Sequence, residues 1–236
     1  RHGGSVEVWL RVFGEFEALA SIASHHFANP GDPFPELVPS EEVPIYEAEG
    51  LTHPILPRAS AVANDIAIGK EPQLCVVSGS NMSGKTTLLR TVGINAVMAF
   101  AGAPVRARRL RLSTLVIGAT LHVQDSLLAG QSRFYAEITR LRRLVDLAKG
   151  STPLLFLFDE LFHGTNSHDR VEGASGILHF FLDHRSIGLV TTHDLALAGI
   201  ADRLASQAIN VHFEDQFTDG EMAFGYHLRS GRATRS

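Results

Sequence analysis

GSNMSGKT, at residues 79–86, fits the pattern G-x-x-x-x-G-K-[ST] of a phosphate-binding loop. The apolar, β-favouring segment 74–77 precedes this loop, and the spacing of apolar residues predicts a helix over 87–100 after it. A glycine-containing turn between a strand and a helix start directs backbone N–H groups at one point, where the helix dipole also favours an anion. The stretch therefore predicts a phosphate site in which Lys85 reaches the terminal phosphates of a nucleotide and the Thr86 hydroxyl ligates Mg²⁺.

The composition is that of an ordinary soluble globular domain, with 44% hydrophobic and 19% charged residues among 236. No apolar run approaches the roughly 20 residues that cross a bilayer, so we expect no membrane contact and a cytoplasmic protein. The single cysteine, Cys75, excludes an internal disulfide framework and suits a reducing compartment. The net charge of −4 is unlike that of a domain that holds DNA by itself, which usually carries a basic excess.

Both ends of the chain read as cut from something longer, because it starts at Arg1 and finishes on a strand end followed by a loop. Apolar residues at helical spacing predict a helix over 6–27, and we interpret residues 1–28 as the tail of a longer helix that arrives from a missing domain. Prolines concentrated between 29 and 44 predict an irregular linker over 29–42. One domain, truncated at its C-terminus, is expected over 43–236.

The rest of the chain alternates strands with helices. Strands are predicted over 43–51, 62–68, 74–77, 105–112, 114–122, 153–158 and 187–192, and further helices over 133–149, 168–184 and 194–201. A turn at 219–220 joins a predicted C-terminal β-hairpin of segments 206–214 and 221–229. This order predicts an α/β fold of the P-loop NTPase type, with a mostly parallel central sheet and flanking helices.

Polar residues follow two of the predicted buried strands. Asp159 directly follows the run 153–158 and fits the Walker B role of holding Mg²⁺, while Glu160 is placed to polarise the attacking water. His193 follows the strand 187–192 and either donates to the γ-phosphate or is a capping or core histidine. Spacing alone leaves both possibilities for His193 open.

The loop 125–132 runs into a helix start, and Ser132 is a suitable N-cap for that helix. The alternative is a second anion site, presented to ATP that another subunit holds. The order of phosphate loop, small-residue helix start, carboxylates and histidine is that of ATP-binding-cassette (ABC) ATPases, which sandwich ATP between two protomers.

With these motifs in order, the chain resembles the ATPase domain of the MutS family of DNA mismatch repair proteins over nearly its whole length. The phosphate loop is close to the family's G-P-N-M-x-G-K-[ST], and GLTHP at 50–54 is similar to its G-R-H-P element. GQSRF at 130–134, followed by Glu137, resembles its G-x-S-x-F-x-x-E signature, and Thr192-His193 resembles its T-H switch. DE at 159–160 with GT at 164–165 resembles D-E-x-x-x-G-T, although the run between them is typical of a divergent bacterial branch.

The resemblance implies an Mg²⁺-dependent ATPase that works as a homodimer, with composite ATP sites that control its grip on DNA. Mismatched or branched DNA would bind through domains that this chain lacks, in a bacterial cytoplasm and in association with the nucleoid. The resemblance implies catalytic roles for Lys85, Glu160 and His193, and metal binding by Thr86 and Asp159. It places Gly130 and Ser132 at the partner subunit's ATP. It assigns the remaining contacts with ATP and Mg²⁺ to Gly79, Ser80, Asn81, Met82, Ser83, Gly84, Lys85, Thr86, Thr87 and Asp159.

Three positions depart from the family's pattern. Ser80 replaces the usual proline of the loop, and Arg108 stands where glutamine is expected. The aromatic residue that stacks on adenine is expected just before residue 63, where this chain has Ala61 and Val62.

Two other functions stay open on the sequence. One is another ABC-type ATPase, in transport or chromosome organisation; the missing L-S-G-G-Q signature and the Asn81-Met82 pair argue against it. The other is a nucleotide-gated DNA clamp or recombination-control module with little turnover, which the missing aromatic favours.

Overall fold

The structure is a computed structural model that describes residues 3–39, 43–121, 133–162, 167–218 and 221–233. Its helices are α1 (Gly3–Ala28), α2 (Lys85–Phe100), α3 (Arg133–Ala148), α4 (Ser167–Asp183), α5 (Leu195–Ala198) and α6 (Ile200–Arg203). Its strands are β1 (Glu36–Val38), β2 (Tyr46–Leu51), β3 (Asn64–Ile68), β4 (Leu74–Ser78), β5 (Arg109–Ser113), β6 (Val116–Thr120), β7 (Leu154–Asp159), β8 (Ile187–Thr192), β9 (Ala208–Thr218) and β10 (Glu221–Ser230).

A six-stranded sheet forms the centre of the fold, in the order β10-β9-β4-β8-β7-β6. Its pairs are parallel except for the β9–β10 hairpin, which is antiparallel. β4 and β8 are buried along their whole length, as expected of parallel strands with both faces covered. The predicted α/β fold with a mostly parallel sheet is therefore confirmed, and the carboxyl ends of β4, β7 and β8 lie side by side.

Alternate residues of the central strands pack into two apolar layers. Cys75 and Val77 face a layer that α2 covers with Leu88 and Val92. The intervening residues of β4 face a second layer, which contains the aromatic rings of Phe156, Phe158 and Phe181, together with α3, α4, α5 and α6. Helices on both faces thus hold the strand ends at fixed positions.

A second, four-stranded sheet in the order β1-β5-β2-β3 lies outside the parallel core. The prediction that 29–42 is wholly irregular is wrong at β1, which pairs in parallel with β5. The Glu36 carboxylate accepts from Arg109 at 3.3 Å and from Arg111 at 3.2 Å, and this ion cluster stabilises the pairing. Prolines are compatible with the ends of an edge strand, so their density was a poor guide here.

The predicted helix over 194–201 is divided into α5 and α6 at Gly199, a weak helix former. The Asp194 side chain accepts from the backbone N–H of Ala196 at 2.8 Å and so caps the N-terminus of α5. Within the described ranges, no helix combines the length and the apolar character that crossing a membrane requires.

Candidate nucleotide site

The phosphate loop joins β4 to α2 in a backbone conformation that only certain residues adopt. Gly79 and Gly84 have φ values of 150° and 106°, and Met82 has a φ of 70°. Gly84 occupies the N-cap position of α2 and offers no side-chain hydrogen bond to the first turn of the helix. The N-terminal N–H groups of α2 therefore lack an N-cap side-chain acceptor, which suits the binding of an anion.

Lys85 is buried at the first position of α2. Its Nζ donates to the carbonyl oxygens of Gly79 at 2.8 Å and Ser80 at 2.6 Å. The ammonium group is thus held against the loop itself, where its positive charge adds to that of the helix terminus.

The loop is tied to β7 by a short polar chain. The Thr86 hydroxyl donates to Asp159 Oδ2 at 2.9 Å, and the Thr191 hydroxyl donates to Asp159 Oδ1 at 2.7 Å. A hydroxyl and a carboxylate in contact are hard oxygen donors of the kind that Mg²⁺ takes, and Mg²⁺ is typically bound by one or two carboxylates plus phosphates and water. Among the described residues, no group of three or more histidine, cysteine, aspartate or glutamate side chains is arranged so that it could hold a metal ion.

Glu160 and His193 meet beside this chain. Glu160 has a left-handed backbone with a φ of 52°, and its N–H donates to the Thr191 hydroxyl at 3.2 Å. His193 Nδ1 lies 3.0 Å from Glu160 Oε1, and the two side chains are 36% and 23% exposed. A carboxylate that is partly shielded yet reaches water, with an imidazole in contact, is suited to moving a proton.

The loop forms one wall of a cleft of about 560 Å³. The opposite side is built from the segment between β2 and β3 and from the C-terminal hairpin, and it includes His53, Leu56, Val62 and Tyr226. Burial, and then the positive charge of Arg90, lowers the pKa of His53 below its ordinary value, so its imidazole is uncharged at neutral pH.

Tyr226 places an aromatic ring at the cleft, which the residues just before residue 63 do not. It has a left-handed backbone with a φ of 53°, and its Cδ1 would lie 3.1 Å from a Cβ placed on Gly84. Val62 also lines the cleft, but it offers only an aliphatic surface. Sequence reasoning missed Tyr226 because nothing near it marks a site, and 140 residues separate it from Thr86.

Thr191 was also missed, since a threonine in a buried strand reads as ordinary β structure. The structure shows it fully buried, with its hydroxyl between the carboxylate of Asp159 and the backbone of Glu160. Thr191 lies opposite Asp159 in the parallel pairing of β7 with β8, and no local feature of the sequence indicates this register.

The structure brings most of the sequence-predicted site residues together at one edge of the sheet. Met82 is 83% exposed and Ser83 is buried, and Ser83 Oγ has no hydrogen-bond partner within the described part of the chain. Gly130 and Ser132 lie in 122–132, outside the described residues. The cleft or its loop contains Gly79, Ser80, Asn81, Met82, Ser83, Gly84, Lys85, Thr86, Thr87, Asp159 and Glu160, with His193 in contact with the last.

Comparison with known proteins gives matches over most of the chain. The family described as MutS domain V matches residues 75–236. The chain is 31% identical to "DNA mismatch repair protein MutS 2" of Halobacterium salinarum, over 96% of the chain and 26% of that protein. It is 32% identical to "DNA mismatch repair protein MutS" of Brevibacillus brevis, over 86% of the chain and 24% of that protein. It is 31% identical to the protein of the same name from Bacillus subtilis, over 96% and 26%. The chain thus spans about a quarter of the length of these relatives.

Proposed function

The chain belongs to the MutS family, as its domain V, and from this membership we propose that it binds ATP with Mg²⁺ in the cleft and hydrolyses it to ADP and phosphate. The observation that carries the proposal is the 2.9 Å hydrogen bond from Thr86 to Asp159, which joins the phosphate loop to the acidic end of β7. These are the two groups that a nucleotide-bound Mg²⁺ needs from the protein.

Each residue of the phosphate side has a role in this proposal. The loop N–H groups and Lys85 bind the phosphates, and Thr86 and Asp159 would hold Mg²⁺, which neutralises charge on the phosphate oxygens when bound. Glu160 accepts a proton from the attacking water as the water oxygen bonds to the terminal phosphorus and the bond from that phosphorus to the bridging oxygen breaks, which releases ADP. His193 donates to the terminal phosphate and keeps Glu160 oriented through their 3.0 Å contact.

On the other side of the cleft, the Tyr226 ring contacts the adenine. An aromatic ring can stack on any nucleobase, so the ring alone does not select adenine. The shape of the surrounding cleft decides which base fits. The exposed fraction of Tyr226, 43%, leaves ring surface for a ligand to cover.

The oligomer and the nucleic acid belong to the same proposal. The relatives are named as DNA mismatch repair proteins, and we infer that a longer protein containing this domain acts on mismatched or branched DNA as a homodimer. Gly130 and Ser132 would complete the ATP site of the partner subunit. Helix α1 would be the end of a lever helix, in line with its exposed Trp9, Leu10 and Phe16, and residues 29–42 would link it to the domain.

The test is ATP binding by isothermal titration calorimetry with Mg²⁺, alongside steady-state release of phosphate. Lys85→Ala should weaken ATP binding by at least about 100-fold, because it removes a charge-assisted donor from a buried site. Lys70→Ala, which removes an exposed lysine in the turn before β4, is the matched control and should leave affinity unchanged. Equal affinity of the Lys85→Ala protein and the parent would refute the site. Tight binding without turnover, even in a dimer, would instead favour the nucleotide-gated module.

A further inference from the structure

Asn64 joins two parts of the molecule that do not otherwise share a sheet. It begins β3, at the edge of the four-stranded sheet, opposite Leu51 in register. Its Nδ2 donates to the Tyr226 carbonyl oxygen at 3.0 Å, and its Oδ1 accepts from the Leu228 N–H at 2.6 Å. One side-chain amide therefore forms hydrogen bonds with the backbone of β10 at Tyr226 and again two residues further on, at Leu228.

The two bonds are made where the ladder of the hairpin is irregular. The register of β10 against β9 shifts between Phe224 and Leu228, so the pairing of the two strands is irregular over the intervening residues. An amide side chain carries N–H donors and a C=O acceptor, as the backbone of a strand does, and Asn64 takes the place of a neighbouring strand.

The interruption also coincides with an uncommon backbone conformation. Tyr226 has a φ of 53°, which is rare for a bulky residue and persists only when the surroundings hold it. Leu228 is anchored in the apolar layer that α2 covers, so the two Asn64 bonds fix Tyr226 relative to a rigid point. The same conformation brings the ring over Gly84, where a Cβ would lie 3.1 Å from Cδ1.

We propose that Asn64 is a positioning residue that sets the affinity of the cleft for the nucleobase by holding Tyr226 over the phosphate loop. The inference rests on the proposed function, because it assumes that a nucleotide occupies the cleft. Asn64 acts on the affinity for the base, because its hydrogen bonds hold the hairpin at Tyr226 and Leu228. It takes no part in the phosphate chemistry.

The experiment compares two ligands in the presence of Mg²⁺ by calorimetry: ATP, and inorganic tripolyphosphate, which has no base. Asn64→Asp keeps the acceptor for Leu228 but places a second acceptor against the Tyr226 carbonyl. Asp65→Asn is the matched control, because it changes one atom of the next residue and keeps the oxygen that accepts from Gly50 at 2.6 Å.

Asn64→Asp should weaken ATP binding about tenfold while changing the affinity for tripolyphosphate by less than about twofold, and Asp65→Asn should change neither. Asn64→Ala, which adds no charge, should show the same selective loss. Unchanged ATP affinity in both Asn64 variants would overturn the proposal. Equal loss of both ligands would overturn it too, because that result indicates a general structural role.

Combination with Tyr226→Ala identifies the route of the effect. If Asn64 acts through Tyr226, the double variant Asn64→Asp/Tyr226→Ala should bind ATP no more weakly than Tyr226→Ala alone. Additive losses would show that Asn64 acts elsewhere and would refute its positioning role. A parent chain that binds neither ATP nor tripolyphosphate would refute the proposed function instead, which keeps the two failures distinct.

Discussion

In the proposed function, one side of the cleft binds the phosphates and the other side binds the nucleobase. These two sides, called here the phosphate side and the nucleobase side, are built in different ways. The phosphate side comes from adjacent carboxyl ends of parallel strands, whose positions are fixed by ladder pairing of β4 with β8 and of β8 with β7. The nucleobase side comes from the edge of one sheet and the bulged hairpin of another, bridged by the single side chain of Asn64.

The difference shows how much each side depends on individual residues. In the proposed function, the chemistry that requires fixed distances takes place at the ends of β7 and β8 and the start of α2, where Thr86, Asp159 and Thr191 form a continuous chain of hydrogen bonds. The base is instead held by elements of two different sheets, which no strand ladder joins. We therefore expect substitution of a residue that acts on the attacking water to change turnover, and substitution of a residue that contacts the base to change affinity.

The largest effect is expected from Glu160→Gln. The amide keeps the size of the side chain but cannot accept the proton of the attacking water, so turnover should fall by about 100-fold or more while ATP affinity is retained. Phosphate release and calorimetry on the same preparation measure the two quantities. Glu15→Gln on the exposed face of α1 is the control and should behave as the parent. Turnover at the parent rate would remove Glu160 from the mechanism and weaken the contrast between the two sides.

A smaller and different effect is expected from Tyr226→Ala. Loss of the ring should weaken ATP binding about tenfold with little change in turnover at saturation, because stacking contributes to binding and not to the proton transfer. Tyr226→Phe retains the ring and should bind like the parent. A fall in saturated turnover of the alanine variant, as large as that of Glu160→Gln, would mean that the two sides are not separable.

A third expected effect concerns stability at high pH, and it involves one buried group in each sheet. Burial raises the pKa of the Cys75 thiol, in β4 of the central sheet, to about 12. Burial also raises the pKa of Tyr46, in the four-stranded sheet, well above its usual value. A raised folded-state pKa means that the stabilisation is complete below the unfolded-state value and is lost as the pH rises towards the folded-state value.

Urea midpoints between pH 8 and pH 11 should therefore fall with increasing pH. Each group contributes at most about 1.4 kcal/mol per pH unit to the slope. Cys75→Ala should flatten the slope from about pH 8.5 and Tyr46→Phe from about pH 10, because those are the ordinary unfolded values. A slope that neither substitution changes would show that other groups cause the alkaline loss.

The sequence was a good guide to the phosphate side and a poor one to the nucleobase side. Strand, loop and helix around Lys85 are local features, and the acidic residues after β7 follow from the rule that parallel strands end at one edge. Tyr226 and Asn64 are 162 residues apart and meet only because a bulge interrupts β10. No local pattern encodes that meeting.

The short outer strand β1 has a consequence for the behaviour of the chain in concentrated solution. An open sheet edge is a template on which a second molecule can add its own strand. Here the edge offers three residues, Pro35 and Pro39 stand next to its two ends, and its first residue is the charged Glu36. Edge-to-edge growth is therefore blocked at this side of the four-stranded sheet, and the domain is protected there against aggregation.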